Sequence, residues 1–199
     1  MSDALSESAL AAVSAPGNLA IGLREIAGRG MIDLRGLATD TAFMAAARDI
    51  LGLDLPTQPR TSVSEGDVTA LWLAPDQWLI LCADARQRHA DLTKALGGIH
   101  SLAVDVSDMR AIIRLEGEGW REVLMKGCSL DLLSNGYSPG TVRRLRFAEI
   151  AALLHVVSDN EADLYVFRSY AHYAWEFLLA SARESAKIKV FGRQNLPMS

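Results

Sequence analysis

Cysteine is scarce in this chain. Its 199 residues include two cysteines, Cys82 and Cys128, which lie far apart in the sequence. They form neither a C-x-x-C pair nor a spacing that suits metal ligation. The pattern excludes a redox dithiol and a cysteine-based zinc site. We predict that both residues are buried, reduced thiols of a cytosolic protein.

Long apolar runs are also absent. No stretch approaches the roughly 20 apolar residues that a membrane span needs. Residues 1–16 lack the basic start and the apolar run of a signal peptide. We therefore predict a cytoplasmic protein that has no contact with a membrane.

An excess of positive charge is missing as well. The formal net charge is −4, and the only dense basic cluster is Arg143-Arg144-Leu145-Arg146. Because binding to a phosphate backbone needs a basic stripe, we expect no nucleic-acid partner. The cluster has two interpretations: a solvated strand or loop, or a basic face that orients an acidic partner.

Catalytic motifs are the last absence. The sequence contains no G-x-S-x-G, H-E-x-x-H, P-loop or G-x-G-x-x-G motif. Among the scattered histidines, we interpret His155 as a core residue, His172 as part of an aromatic core or interface stripe, and His89 and His100 as surface residues. We predict no catalytic residue, no cofactor-binding residue and no metal ligand on this chain.

The positive signal is an internal duplication. Residues 31–36 (M-I-D-L-R-G) and 112–117 (I-I-R-L-E-G) share an apolar/polar alternation that ends in glycine. A helix-period stretch, a Leu-Asp-Leu segment (53–55 and 130–132) and two further strand-like runs follow each of them. Neither half alone is long enough to bury much core. The predicted fold class is α+β: two pseudo-repeated β-α-β-β-α units with antiparallel sheets and helices packed on them.

The duplication also divides the chain. The expected parts are an N-terminal arm over 1–18, a first α+β repeat over 19–98, a second α+β repeat over 99–185 and a C-terminal tail over 186–199.

Hydrophobic periodicity places the elements within these parts. The predicted strands are near 30–35, 68–73, 77–82, 102–106, 112–115, 147–157 and 162–167. The predicted helices run from a cap at Thr39 or Asp40 to Gly52, over 85–96, from Trp120 to Gly127, and over 169–183. Loops are predicted over 56–66 and 134–141, and the alternation at 187–191 suggests a final strand.

Four residues are candidates for a crevice or an interface. Asp105 and Arg110 bracket a short polar segment. One interpretation is a strand end with a capped turn, and the other is that both residues line a shared crevice or a subunit boundary. Arg168 and Tyr170, near the start of the last predicted helix, are the other two candidates.

Four sequence blocks carry a resemblance to a known family. Residues 72–80 (W-L-A-P-D-Q-W-L-I) resemble the W-L-G-P-D-E-W-L-L signature of the gamma subunits of heterotetrameric sarcosine oxidase. Residues 105–111 (D-V-S-D-M-R-A), 126–132 (K-G-C-S-L-D-L) and 163–176 (D-L-Y-V-F-R-S-Y-A, then W-E) resemble later blocks of that family, in the same order. The chain departs from the family pattern at Ala74, where glycine is usual, and at Asp108, where histidine is usual.

The resemblance implies a fold similar to that of the folate-binding aminomethyltransferase (T-protein) of glycine cleavage. It also implies an oxidase that demethylates sarcosine to glycine, passes the one-carbon unit to tetrahydrofolate and releases hydrogen peroxide. The implied partners are the alpha, beta and delta subunits. FAD, FMN, NAD and tetrahydrofolate are implied on the larger subunits and zinc on delta, so this chain is implied to be non-catalytic.

Two alternatives remain open from the sequence. The chain is either a folate-binding one-carbon transferase or carrier in its own right, or a subunit of a related N-methyl amino-acid dehydrogenase. No acidic pterin anchor of the T-protein type stands in a matching motif. In isolation, a subunit of this kind is expected to be inactive, to expose a large apolar patch and to self-associate.

Overall fold

The computed structural model describes residues 7–187. Within that range the chain forms ten strands and four α-helices. The strands are β1 (Gly22–Glu25), β2 (Gly30–Gly36), β3 (Ser62–Glu65), β4 (Val68–Ala74), β5 (Gln77–Cys82), β6 (Ser101–Asp105), β7 (Arg110–Glu116), β8 (Val142–Phe147), β9 (Ile150–Ser158) and β10 (Glu161–Phe167). The helices are α1 (Thr41–Leu51), α2 (Ala85–Ala95), α3 (Trp120–Met125) and α4 (Ala171–Ser181), with 3₁₀ turns at Arg168–Tyr170 and Glu184–Ala186.

The strands form two antiparallel sheets that pack face to face. The first sheet has the order β3-β4-β5-β2-β6, and the second has the order β1-β7-β10-β9-β8. Their inner faces share one apolar cluster, which includes Met31, Leu71, Leu79, Ile112, Leu153 and Tyr165. Helices α1 and α2 cover the outer face of the first sheet, and α3 and α4 cover that of the second. The predicted α+β class, with antiparallel sheets and helices packed on them, is confirmed.

Each unit contributes one edge strand to the sheet of the other unit. Strand β1 precedes β2 in the chain but pairs with β7, with Gly22 opposite Glu116. Strand β6 precedes β7 but pairs with β2, with Asp105 opposite Ile32. The two units therefore cannot separate without breaking both of these ladders.

Three strands were not predicted. Strand β1 has only four residues, and β3 lies inside the predicted loop 56–66, where Ser-Val-Ser-Glu offers no buried apolar face. Strand β8 carries three arginines in six residues, which hides its alternation. The single strand predicted over 147–157 is wrong at its start, because Ala148 adopts a φ of 48° and turns the chain between β8 and β9.

The predicted boundaries of α1 are confirmed. The Asp40 side chain accepts hydrogen bonds from the backbone N–H groups of Ala42 (2.9 Å) and Phe43 (3.1 Å), so Asp40 is the N-cap. The helix ends at Gly52, whose φ of 75° is the left-handed conformation that glycine adopts at helix ends. Phe43, Ala47 and Leu51 form the buried face of the helix.

The hairpin of β4 and β5 is the best-anchored part of the first sheet. Trp78 is buried, and its indole N–H donates to the carbonyl of Pro56 at 2.8 Å. The Phe43 ring packs on it at a centroid distance of 5.8 Å. Because a buried indole needs a partner for its N–H group, the hairpin, the loop before β3 and helix α1 are held together at one point.

The two cysteines and the N-terminal segment differ in how deeply they are buried. Cys82 is buried with a free thiol, as predicted, whereas Cys128 is only half-buried because it follows α3 at the edge of a layer. Residues 7–18 form turns, and Leu10 is buried in the outer core of the second sheet. The strand suggested over 187–191 lies almost entirely outside the described residues.

Gly127, in the block 126–132, gives a test of the packing. A Cβ atom at this position would lie 2.3 Å from the fully buried ring of Phe147 and 3.0 Å from Phe177. We expect Gly127→Ala to lower the free energy of unfolding by about 1–3 kcal/mol, because the fully buried Phe147 ring can move away only by displacing its neighbours.

Urea unfolding followed by tryptophan fluorescence measures this change. Gly136→Ala is the matched control, since the nearest atom to its added Cβ is 3.9 Å away. A Gly127→Ala variant as stable as Gly136→Ala would contradict this account of the packing.

Candidate functional site

A cleft lies beside the two segments that connect the exchanged edge strands, β1 and β6, to β2 and β7. The links between β1 and β2 (26–29) and between β6 and β7 (106–109) both line this cleft. The backbone N–H of Val106 donates to the carbonyl of Met31 at 2.8 Å, and the N–H of Met31 donates to the Ser107 hydroxyl at 3.0 Å. The links border a cavity of about 950 Å³, which we call the crossover cleft.

Asp105 sits on the wall of this cleft and also caps a turn. One of its carboxylate oxygens accepts from the backbone N–H of Ser107 at 3.0 Å and from the Ser107 hydroxyl at 2.5 Å. Burial acts to raise the pKa of Asp105, but the bonds from Ser107 and the positive charges of His89 and Arg86 outweigh it and lower the pKa below its usual value. Both interpretations of Asp105, the capped turn and the crevice wall, therefore describe the same geometry.

Arg110 also lines the cleft, but much of its side chain is buried. Its guanidinium lies 4.7 Å from the centre of the Phe167 ring, a cation–π contact. Its Nε is buried without a hydrogen-bond partner among the described residues. Burial lowers the pKa of Arg110, and the like charge of Arg144 lowers it further, while Asp33 acts in the opposite direction.

Arg168 lies at the rim of the cleft, whereas Tyr170 does not line it. The Arg168 side chain donates to the carbonyl of Glu7, and its backbone N–H donates to the carbonyl of Met109 at 2.9 Å. Tyr170 is exposed at the start of α4. The structure thus brings three of the four candidates, Asp105, Arg110 and Arg168, to one cleft.

A second polar group, at one end of the inner faces, was not identified from the sequence. The Gln77 amide donates to both carboxylate oxygens of Asp33 at 2.9 Å and accepts from the Arg144 guanidinium at 3.0 Å. Gln77 and Asp33 are on the first sheet, and Arg144 is on the second, so this group bridges the sheets. The sequence signal for this group was the pair of polar residues, Asp33 on β2 and Gln77 on β5, at positions that face the other sheet.

The basic cluster at Arg143, Arg144 and Arg146, which had two interpretations, divides between the two sides of β8. Arg144 and Arg146 project to the inner side, where Arg146 pairs with Glu149 at the end of the strand. Arg143 projects to the opposite side, and its Nε is buried without a partner among the described residues. Alternation along a strand is the reason that consecutive arginines cannot share one face.

His155 lies where the edges of the two sheets meet. Thr61 and Thr141 form a bridge between the edges, and the Ser62 hydroxyl donates to the carbonyl of Gly140 at 3.0 Å. The same hydroxyl contacts Nε2 of His155 at 3.0 Å. The histidine tautomer sets the direction of this hydrogen bond. Nδ1 of His155 has no partner among the described residues, so no carboxylate orients the ring as a base. The prediction that His155 is a core residue is confirmed.

Asp163 lies opposite His155 across the β9–β10 ladder, but it does not complete a catalytic triad. Its two carboxylate oxygens accept from the Arg114 guanidinium at 2.7 and 2.9 Å. The bond from Asp163 raises the pKa of Arg114 above its already high value. Nδ1 of His155 has no hydrogen-bond partner among residues 7–187. The arrangement is a bidentate ion pair that stabilises β7 against β10.

Lys126 has a structural role that the sequence did not reveal. Its ammonium group donates to the carbonyl of Ser181, the last residue of α4 (2.6 Å), and to that of Ala186, beyond the helix (2.7 Å). Burial lowers the pKa of Lys126, and Glu122 partly opposes this effect. The lysine therefore holds the end of α4 against α3.

Residues 7–187 contain no group of three or more histidine, cysteine, aspartate or glutamate side chains placed to hold a metal ion. No helix within that range is both long enough and apolar enough to cross a membrane.

Comparison with known proteins identifies the family of this chain. The family model described as the sarcosine oxidase, gamma subunit family matches residues 35–184. The chain belongs to the sarcosine oxidase gamma subunit family. The family that the four sequence blocks indicated is thereby confirmed.

Two relatives show the extent of the similarity to this family. The chain is 28% identical over 180 residues to a sarcosine oxidase subunit gamma of Corynebacterium sp. (strain P-1), covering 89% of this chain and 88% of the relative. It is 32% identical over 136 residues to a sarcosine oxidase subunit gamma of Arthrobacter sp, covering 68% and 66% of the two chains.

Solved structures confirm the fold. A chain of the heterotetrameric sarcosine oxidase from Corynebacterium sp. U-96 in complex with pyrrole 2-carboxylate superposes with a TM-score of 0.82 at 23% identity, over 92% of this chain and 98% of that one. The glycine cleavage system aminomethyltransferase T from Bartonella henselae superposes with a TM-score of 0.59 at 18% identity, over 83% of this chain and 50% of that one. The predicted T-protein-like fold is therefore correct.

The four sequence blocks that indicated the gamma subunit family occupy structurally defined places in the fold. Residues 72–80 are the hairpin anchored by Trp78, and residues 105–111 are the capped turn that borders the crossover cleft. Residues 126–132 place Lys126 and Gly127 against α4 and Phe147. Residues 163–176 carry the Asp163 pair and lead into α4. Each block joins layers or units of the fold.

The burial of His155 predicts a pH dependence of stability. Burial lowers the pKa of His155 below its usual value of about 6.5, so the folded state favours the neutral ring. The contribution of this residue to stability is therefore complete above the unfolded-state pKa and declines as the pH falls through it. We expect the free energy of unfolding to fall less between pH 7.5 and pH 5.5 in His155→Gln than in the unaltered chain.

Urea unfolding at the two pH values measures this difference. Glutamine keeps an N–H group that can donate to Ser62 but does not titrate, whereas the exposed His100 provides the control substitution His100→Gln. Equal pH dependence in the His155→Gln variant and in the unaltered chain would exclude this residue as the source.

Proposed function

We propose that this chain is the gamma subunit of a heterotetrameric sarcosine oxidase and has no catalytic residue of its own. The observation that carries the proposal is the family match over residues 35–184. The similarity in fold to a chain of a heterotetrameric sarcosine oxidase, over 98% of that chain, supports it. In this assembly the role of the chain is to bind other subunits through its surface.

The chemistry of the described polar groups is consistent with a non-catalytic role. Asp105 is bound to Ser107, and Asp163 is bound to Arg114. The Ser62 hydroxyl lies 3.0 Å from both the carbonyl of Gly140 and Nε2 of His155, where the edges of the two sheets meet. A general base or a nucleophile needs a free lone pair or a mobile proton facing a substrate. These three groups are instead engaged in bonds that hold strands and turns in place.

The proposed partners are the alpha, beta and delta subunits that the family resemblance implies. On that basis FAD, FMN, NAD and tetrahydrofolate belong to the larger subunits and zinc belongs to delta. The gamma chain would bury part of a larger subunit and hold its folate-side domain in position. Contacts to the amine substrate would then lie on other chains.

Assembly in the presence and absence of this chain tests the proposal. We expect that co-expression of the other three subunits without it reduces both the yield of the complex and the sarcosine-dependent release of hydrogen peroxide. Adding the chain back restores both, because it covers apolar surface of a larger subunit. Size-exclusion chromatography and a peroxide assay measure the two effects.

Unchanged assembly and activity without the chain would overturn the proposal. Turnover of N-methylglutamate in place of sarcosine by the restored complex would assign the chain to the related dehydrogenase instead.

A second experiment separates a subunit from a folate carrier. We expect equilibrium dialysis of the isolated chain against 5-formyltetrahydrofolate to show no saturable binding up to millimolar concentration. Saturable binding of one folate per chain would favour the one-carbon transferase, which also has a two-unit α+β plan. The assembled complex serves as the positive control for the ligand.

A further inference from the structure

We infer that one open end of the space between the two sheets binds an acidic and partly apolar surface of another subunit. This inference rests on the proposed function and identifies the surface through which that function is carried out. We call this end the arginine face. It consists of Arg35, Arg110, Arg144, Leu102, Val104 and Phe167.

The first sheet contributes a side that the second sheet leaves uncovered. On β2 and β6 the register places Leu102 opposite Arg35 and Val104 opposite Asp33. These positions alternate with the outward-facing Leu34 and Ala103, so they belong to the inner face of the sheet. Leu102 nevertheless remains 50% exposed and Val104 39% exposed.

The second sheet contributes an aromatic ring and two arginines. Phe167 lies opposite Arg110 across β10 and β7, and the guanidinium of Arg110 lies over the ring at 4.7 Å. Phe167 is 37% exposed at the end of its strand. Arg144 reaches across to Gln77 on the first sheet, which in turn binds Asp33. These contacts connect the two sides of the arginine face.

The charges of this face are not balanced within the described part of the chain. Arg35, Arg110 and Arg144 are accompanied by one carboxylate, Asp33, which already accepts two contacts from Gln77. The Nε of Arg35 remains 4.0 Å from Asp33. Because the whole sequence has a net charge of −4, this positive face contrasts with the rest of the protein. A carboxylate on a partner would supply the missing counter-charge.

The unsatisfied state of Arg110 supports the same conclusion. Its Nε is buried without a partner in the described residues. Burial and the like charge of Arg144 both lower the pKa of Arg110. A buried donor without an acceptor is costly, and such a cost is usual at sites that a ligand completes. A carboxylate docked at the open end would lie close to both guanidinium groups.

The composition of the face favours a protein partner over nucleic acid. Arginine, phenylalanine and branched aliphatic side chains lie side by side here, and arginine and aromatic residues dominate the centres of protein interfaces. A nucleic-acid site needs a longer basic stripe, which the sequence lacks. We therefore assign the acidic, partly apolar surface to one of the other oxidase subunits.

A competition experiment tests this assignment in the full complex. The three partner subunits are co-expressed with two differently tagged copies of this chain, one unaltered and one variant, and the ratio of the tags is measured in the purified complex. The double variant Arg35→Glu/Arg144→Glu reverses two exposed charges of the face. We expect it to be incorporated at least about tenfold less than the unaltered chain, because like charges then meet at the contact.

Two controls make the result specific to this face. Arg48→Glu reverses a charge on the outer helix α1, where Arg48 is 66% exposed, and should be incorporated equally with the unaltered chain. The apolar part is tested with Leu102→Asp against Leu133→Asp, since these leucines are 50% and 51% exposed. Thermal unfolding by circular dichroism tests whether each variant is folded.

The outcomes distinguish the two proposals. Loss of incorporation for the double variant and for Leu102→Asp, with both controls retained, supports the arginine face. If the double variant does not fold, the comparison of Leu102→Asp with Leu133→Asp decides alone. Equal incorporation of all folded variants would overturn the arginine face while leaving the gamma subunit function intact. Failure of the unaltered chain to enter the complex would overturn that function itself.

Discussion

The exchange of edge strands between the two units is the constraint on which the rest of this structure depends. Strand β1 completes the sheet of the second unit, and β6 completes that of the first. Each unit must therefore send its chain across to the other sheet and back. The two links that connect the exchanged strands to their own units line the crossover cleft. The same exchange fixes the sheets face to face, which defines the inner apolar cluster and its open end.

Buried polar groups in this fold serve mainly to orient its layers. The Arg114–Asp163 pair fixes β7 against β10, and the Ser62–His155 contact ties the edges of the two sheets. Gln77 connects a carboxylate of one sheet with an arginine of the other. Such groups are costly to bury unless their bonds are made, so they specify one arrangement of the sheets. Because the two sheets are held in one arrangement, the chain presents a defined surface to a binding partner.

Local signals in the sequence predicted local structure well. Asp40 and Gly52 bracket α1 as expected, because capping depends on residues within one helical turn. Strands β3 and β8 were missed, since a short polar strand and a run of arginines carry no apolar alternation. Of the site candidates, Asp105, Arg110 and Arg168 reach the same cleft. Tyr170 does not, because the direction of a side chain at the start of α4 depends on how that helix packs.

The sequence by itself determined the duplicated α+β plan, the family and the absence of known catalytic motifs, because periodicity and motifs are properties of neighbouring residues. Only the tertiary structure decided which strand completes which sheet and which polar groups meet. Asp33, Gln77 and Arg144 are far apart in the chain and become one group only when two sheets pack together. Pairing between distant segments is governed by register and packing across the whole fold, and no local pattern encodes it.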